Sequence, residues 1–150
     1  MLRKEYLPFG KPNFSDEEVQ AITRVIRSGW VGMGPEVIAF EKELSEFLGV
    51  PHVITVSSCT DALFLAFLVN GIKEGDEVIC PSLTWCSTAN AALYLGAKVV
   101  LCDVSPDTFC VTPALIKEKL TPKTKAVAIV HMGGLAVDVE AIRRILPDNV

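Results

Sequence analysis

Three features of this sequence predict an α/β fold built on a mostly parallel sheet with flanking helices. Short apolar, β-branched runs begin at residues 53, 77, 98 and 126. Each is followed by a helical pattern, at residues 61–70, 89–95, 113–120 and 139–145. Strand and helix signals that alternate in this way belong to βα units whose helices cover the faces of the sheet. Finally, half of the 150 residues are hydrophobic and only 21% are charged, which excludes a disordered chain and supplies a core.

Each element has a local reason. Pro8 and Pro12 block a helix in the first dozen residues, which are expected to be extended. Ser15 then stands three residues before Glu18, the spacing of a capping box, and Val19, Ile22, Val25 and Ile26 recur at helical period up to Gly29. Pro35 opens a second helix that runs through Phe40, Leu44, Phe47 and Leu48 to Gly49. Residues 1–52 therefore form an N-terminal helical segment, and the pattern changes at 53. Residues 53–56 are expected to be a short buried strand, followed by strands at 77–80, 98–102 and 126–130 with a helix after each. There is no internal repeat and no low-complexity segment.

Charge and cysteine usage narrow the function classes. The net charge is −4 with no Lys/Arg run, so neither nucleic acid nor an anionic membrane is an expected partner. The uncharged stretch 78–97 is interrupted by Pro81, Ser82, Thr84, Ser87, Thr88 and Asn90, and reads as strand, loop and helix rather than a membrane span. Five cysteines, no C-x-x-C pair and two histidines argue against a metal site or a disulfide framework and for a reducing cytoplasm. The first twelve residues hold no apolar signal-peptide core.

Parallel α/β sheets bind ligands beyond the carboxyl ends of their strands. Here those loops are Ser57-Ser58-Cys59-Thr60, the segment 81–85 ending in Trp85, the segment 103–108, and His131 with Gly133 and Gly134. Ser58 to Thr60 stand where a strand hands over to a helix, so their amides and hydroxyls suit an anion such as phosphate; equally, Ser58 caps the helix and Asp61 improves its first turn. Trp85 is either a shelf for a flat ring or a packing anchor. Asp103 and Asp107 suit turns around Pro106, and His131 is either a ligand contact or a structural hydrogen-bonding residue. No G-x-G-x-x-G follows a strand, and there is no Walker A motif and no G-x-S-x-G elbow.

Four segments carry a resemblance: DEEVQAITRVIRSGWVGMGPEVIAFEKELSEFLGV, VSSCTDALFLAF, GDEVICPSLTWCSTANAALYLGAKVVLCDVSPDTF and TKAVAIVHMGGLAVDVEAI. In order and spacing, from about residue 8 to 145, the chain resembles the N-terminal part of the DegT/DnrJ/EryC1/StrS family of pyridoxal-phosphate-dependent sugar aminotransferases. The resemblance implies the aspartate-aminotransferase-like fold (fold type I), with residues 53–150 the first part of an incomplete pyridoxal-phosphate-binding large domain. It also implies pyridoxal 5'-phosphate as cofactor, a nucleotide-linked keto sugar as substrate, glutamate as amino donor, and a homodimer. The family's Ser-Gly-Thr phosphate loop falls on Ser58, Cys59 and Thr60, followed by Asp61; its ring-stacking aromatic falls on Trp85; and its Gly-Trp segment near the active-site mouth puts Trp30 on the substrate side. His131 matches a residue frequent in the family, with no role attached. Cys59 stands in place of the usual glycine, and Leu135 and Ala136 in place of Gln-Pro.

Transamination needs a lysine to hold the cofactor as a Schiff base and a carboxylate against its pyridinium nitrogen. By the resemblance both fall beyond Val150, and none of the nine lysines here stands in a matching context. The expectation is a chain without a catalytic residue of its own and inactive as 150 residues. The alternatives are a non-catalytic binding module that keeps the phosphate loop, or a small Rossmann-like nucleotide-binding enzyme.

Overall fold

The computed structural model describes residues 5, 6, 8 and 10–150, so the extended start expected for the first residues lies partly outside the described ones. The chain forms two compact units, Met1–Thr55 and Val56–Val150.

In the N-terminal unit, α1 (Asp16–Ser28) starts at the capping box: the Ser15 N–H donates to the Glu18 carboxylate at 2.5 Å, and the Ser15 hydroxyl accepts from the Glu17 N–H at 3.1 Å. The Ser15 hydroxyl also donates to the Glu18 carboxylate at 2.5 Å, and this bond first, then that from the Ser15 N–H, holds the Glu18 pKa below its ordinary value. Gly29 ends the helix in a left-handed conformation, φ 74°, which glycine adopts without a Cβ clash. The helix α2 (Pro35–Leu48) opens on Pro35 and ends at Gly49. Neither helix buries a residue, and Ile22 of α1 and Phe47 of α2 are 59% and 85% exposed.

The C-terminal unit contains α3 (Cys59–Val69), β1 (Glu77–Pro81), α4 (Ser87–Leu93), β2 (Lys98–Cys102), α5 (Pro113–Lys117), β3 (Thr124–Val127) and α6 (Val139–Arg143), with a single 3-10 turn at Met132–Gly134. The three strands form one parallel sheet in the order β2-β1-β3. The central strand β1 is buried throughout. Its alternate residues feed two cores: Val78 and Cys80 pack with Phe67, Ala91 and Ala92 under α3 and α4, while Ile79 packs with Ile116 and Ile142 under α5 and α6. Helices thus cover both faces, as a buried parallel sheet requires. Burial pushes the Cys80 thiol up to about 11. At the amino ends of the strands, the buried Glu77 carboxylate accepts from Lys98 Nζ at 2.8 Å and the Thr121 hydroxyl at 2.6 Å, which lowers its pKa and satisfies the charge.

Two expected strands differ. Residues 53–56 form no strand: Ile54 is 80% exposed, and the Thr55 N–H and hydroxyl both donate to the Glu41 carboxylate, at 2.7 and 2.8 Å. An apolar run becomes a strand only where a neighbour satisfies its backbone, and here a side chain takes that amide instead. The last strand begins at Thr124 rather than 126 and ends at Val127, because its pairing with β1 stops there apart from the Ala128 N–H, which donates to the Ile79 carbonyl at 2.8 Å.

Candidate active site

Parallel pairing brings the carboxyl ends of β1 and β3 to the same edge, and α3 begins beside them. There a cavity of about 710 Å³ is walled by Cys59, Leu63 and Phe67 of α3, by Leu83, Thr84, Trp85 and Thr88 after β1, and by Val127 at the end of β3 with residues 128–132 after it. Three of the four expected loops contribute; the segment after β2 does not. Asp103 instead accepts from the Val104 N–H at 2.8 Å and serves its own turn.

The first turn of α3 is the polar end of the site. Its N-cap Ser58 accepts the Asp61 N–H at 3.1 Å on its hydroxyl and the Ala62 N–H at 3.1 Å on its carbonyl. The N–H groups of Cys59 and Thr60, the first two residues of the helix, have no partner among the described residues, as helix geometry dictates. Two free amides at the positive end of an 11-residue helix suit an anion. Asp61 adds a negative charge to this turn, and its carboxylate accepts from the Ser57 and Ser58 hydroxyls, at 2.5 and 2.8 Å. These bonds, that from Ser57 first, hold its pKa below the ordinary 3.8. Asp61 therefore organises the cap. Cys59 is strain-free: among the described residues only Phe109 is a non-glycine with positive φ, so the cysteine sits where a Cβ is tolerated and the amides are kept.

Trp85 is the aromatic wall, 78% exposed. Its carbonyl accepts the Thr88 N–H at 3.0 Å, and the Thr84 and Thr88 hydroxyls lie 2.8 Å apart, so the first turn of α4 fixes the loop that presents the indole. His131, in the opposite wall, accepts the Val137 N–H on Nδ1 at 3.0 Å. That bond leaves Nε2 as the protonated nitrogen of the neutral ring and gives His131 a structural task.

Trp30 belongs to the N-terminal unit. Its indole Nε1–H donates to the Met33 carbonyl at 2.5 Å, and its ring lies against Gly34, where a Cβ would come within 2.0 Å of Trp30 Cδ1. The absent side chain at Gly34 is what lets the ring close that turn.

Residues at i, i+4 and i+8 on α3, namely Cys59, Leu63 and Phe67, give the cavity its apolar wall. Their spacing was the signal for Leu63 and Phe67, which motif matching alone passes over. Ser87 carried no signal at all, yet its hydroxyl is 2.8 Å from that of Thr60. Among the described residues, no group of three or more His, Cys, Asp or Glu side chains could hold a metal ion.

The polar cup, aromatic wall and parallel sheet coincide with a match over residues 12–149 to the model of the DegT/DnrJ/EryC1/StrS aminotransferase family. The chain belongs to this family. It is 44% identical over 140 residues to the spore coat polysaccharide biosynthesis protein SpsC of Bacillus subtilis, a match that covers 93% of this chain and 36% of SpsC. Its structure is similar to that of Spr1654 from Streptococcus pneumoniae, assigned as a sugar aminotransferase and solved in apo, PLP and PMP forms. For the PLP form the TM-score is 0.88 at 30% identity, over 93% of this chain and 36% of that one. The aminotransferase TlmJ from Streptoalloteichus hindustanus matches with a TM-score of 0.84 at 42% identity, over 89% of this chain and 37% of that one. The fold is thus that of part of the fold-type-I large domain, and the chain spans about a third of the length of these relatives.

Proposed function

We propose that this DegT-family chain provides the phosphate-binding end and the aromatic shelf of a pyridoxal-phosphate-dependent aminotransferase. The observation that carries the reading is the single cavity in which the first turn of α3 and Trp85 meet. In this reading the amides of Cys59 and Thr60 and the Thr60 hydroxyl bind the phosphate, Ser58 and Asp61 hold that turn in shape, and Trp85 covers one face of the ring. Bound there, pyridoxal phosphate acts as an electron sink for amino-group transfer. The role proposed for this segment is to orient the cofactor; among the described residues, no lysine lines the cavity.

The substrate we infer is a keto sugar carried on a nucleotide, with glutamate as amino donor, Trp30 on the substrate side, a homodimeric assembly and a cytoplasmic site of action. Support comes from the sugar-directed names of the relatives and from five cysteines that are all free. Among the described residues, no helix is long and apolar enough to cross a membrane.

The test is a titration with pyridoxal phosphate and, separately, with pyridoxal. The expected result is quenching of indole emission by pyridoxal phosphate, lost in Trp85→Leu and kept in Trp30→Phe, with much weaker binding of the phosphate-free compound. Equal affinity for the two compounds would overturn the phosphate assignment.

A further inference from the structure

Two hydroxyl pairs tie the cup to the shelf. Thr60, on the first turn of α3, and Ser87, the first residue of α4, are both half-buried, and their hydroxyls lie 2.8 Å apart although 27 residues separate them. One turn away, the Thr84 and Thr88 hydroxyls also lie 2.8 Å apart, with Thr88 buried, and the Thr88 N–H holds the Trp85 carbonyl. The second pair explains how the Trp85 loop is held on α4. Only the first joins α4 to the turn that carries the free amides.

We propose that Ser87 is a positioning residue that acts through Thr60, aligning the Thr60 hydroxyl toward a phosphate ester and setting the distance from that phosphate to the Trp85 shelf. The inference rests on the proposed phosphate site. A hydroxyl carries one proton and two acceptor positions. In this structure Thr60 donates to Ser87. An anion beside the Cys59 and Thr60 amides draws the Thr60 proton to itself. The Ser87 hydroxyl then turns and donates to Thr60 Oγ1, so the pair stays bonded and each hydrogen bond polarises the next. The described residues offer Thr60 Oγ1 no other side-chain donor, and without Ser87 this oxygen faces the ligand unsupported.

The experiment compares binding of pyridoxal phosphate and of pyridoxal to the protein and to Ser87→Ala, Ser87→Thr, Thr60→Val and the double variant Ser87→Ala/Thr60→Val. Ser87→Ala is expected to weaken pyridoxal phosphate about fivefold, the worth of one neutral hydrogen bond, and to leave pyridoxal unchanged. Ser87→Thr, which keeps the hydroxyl, should retain the affinity. In the Thr60→Val background, Ser87→Ala should cost nothing more. Equal loss for both compounds, or losses that add in the double variant, would show that Ser87 only packs and would overturn the proposal, as would unchanged binding by Ser87→Ala. If the parent protein does not prefer pyridoxal phosphate to pyridoxal, the phosphate site itself fails, and the role of Ser87 fails with it.

Discussion

The two units of this chain show opposite balances between local instruction and packing. The helices α1 and α2 carry strong start and stop signals, from the capping box at Ser15 to the terminal glycines at 29 and 49, yet bury none of their residues. In the C-terminal unit α4 has no side-chain cap and is only seven residues long, but Thr88, Ala91 and Ala92 are buried against the sheet. The described hydrogen bonds of the first unit run mostly between near neighbours, the pair from Thr55 to Glu41 reaching further. The second holds its shape by apolar contacts between residues far apart in sequence. A helix can therefore be written clearly in a sequence and contribute little core, or be written faintly and be indispensable.

The sharpest test of that contrast is a pair of isoleucines. Ile79, fully buried at the centre of β1, is expected to cost about 2–5 kcal/mol on truncation to alanine. Ile22→Ala, on the exposed stripe of α1, should stay within about 0.5 kcal/mol. Denaturant unfolding of the two variants measures both, and equal losses would break the comparison.

Ser15→Ala removes the cap of α1 and should cost that helix about 1 kcal/mol. Amide exchange would show faster opening across residues 16–28 with protection of β1 unchanged; a matching loss of protection in β1 would mean the units are not separately stabilised. Gly34→Ala acts more locally still. Its Cβ has no room beside Trp30, so the Nε1–Met33 bond should break and the Trp30 emission shift to the red, with the circular dichroism of the C-terminal unit unaffected.

The smallest expected effect is a pH dependence at the site. The pKa of Asp61 is lowered in the folded chain, so the stability it adds is present above its ordinary 3.8 and is lost as pH falls through the folded value. Asp61→Asn should thus be less stable than the parent at neutral pH, with the difference closing on acidification below pH 3.8. A carboxyl NMR titration of Asp61 gives the midpoint directly, and a midpoint at or above 3.8 would contradict the Ser57 and Ser58 bonds.

Most of the fold was legible because its signals are short-range. The range 98–102 is legible to the residue, and the caps and glycines place α1 and α2. Residues 53–56 misled because Val53, Ile54 and Val56 have the composition of a strand, and composition does not say whether a partner is at hand; the Thr55 amide goes to Glu41. At the site, Cys59 and Trp85 were legible from their motifs and do share a cavity. Ser87 was not, since its importance lies in a contact with a residue 27 positions away.

By itself, then, the sequence determined the order and kind of the elements apart from the strand expected at 53–56, together with the candidate anion-binding turn and the aromatic beside it. Caps, glycine stops, periodicity and motif spacing all act within a few residues and so survive being read along a line. Only the tertiary structure decided which strands pair, that three of four loops converge, and that Thr60 meets Ser87. Those are distances between separate elements, fixed by sheet register and by which faces pack.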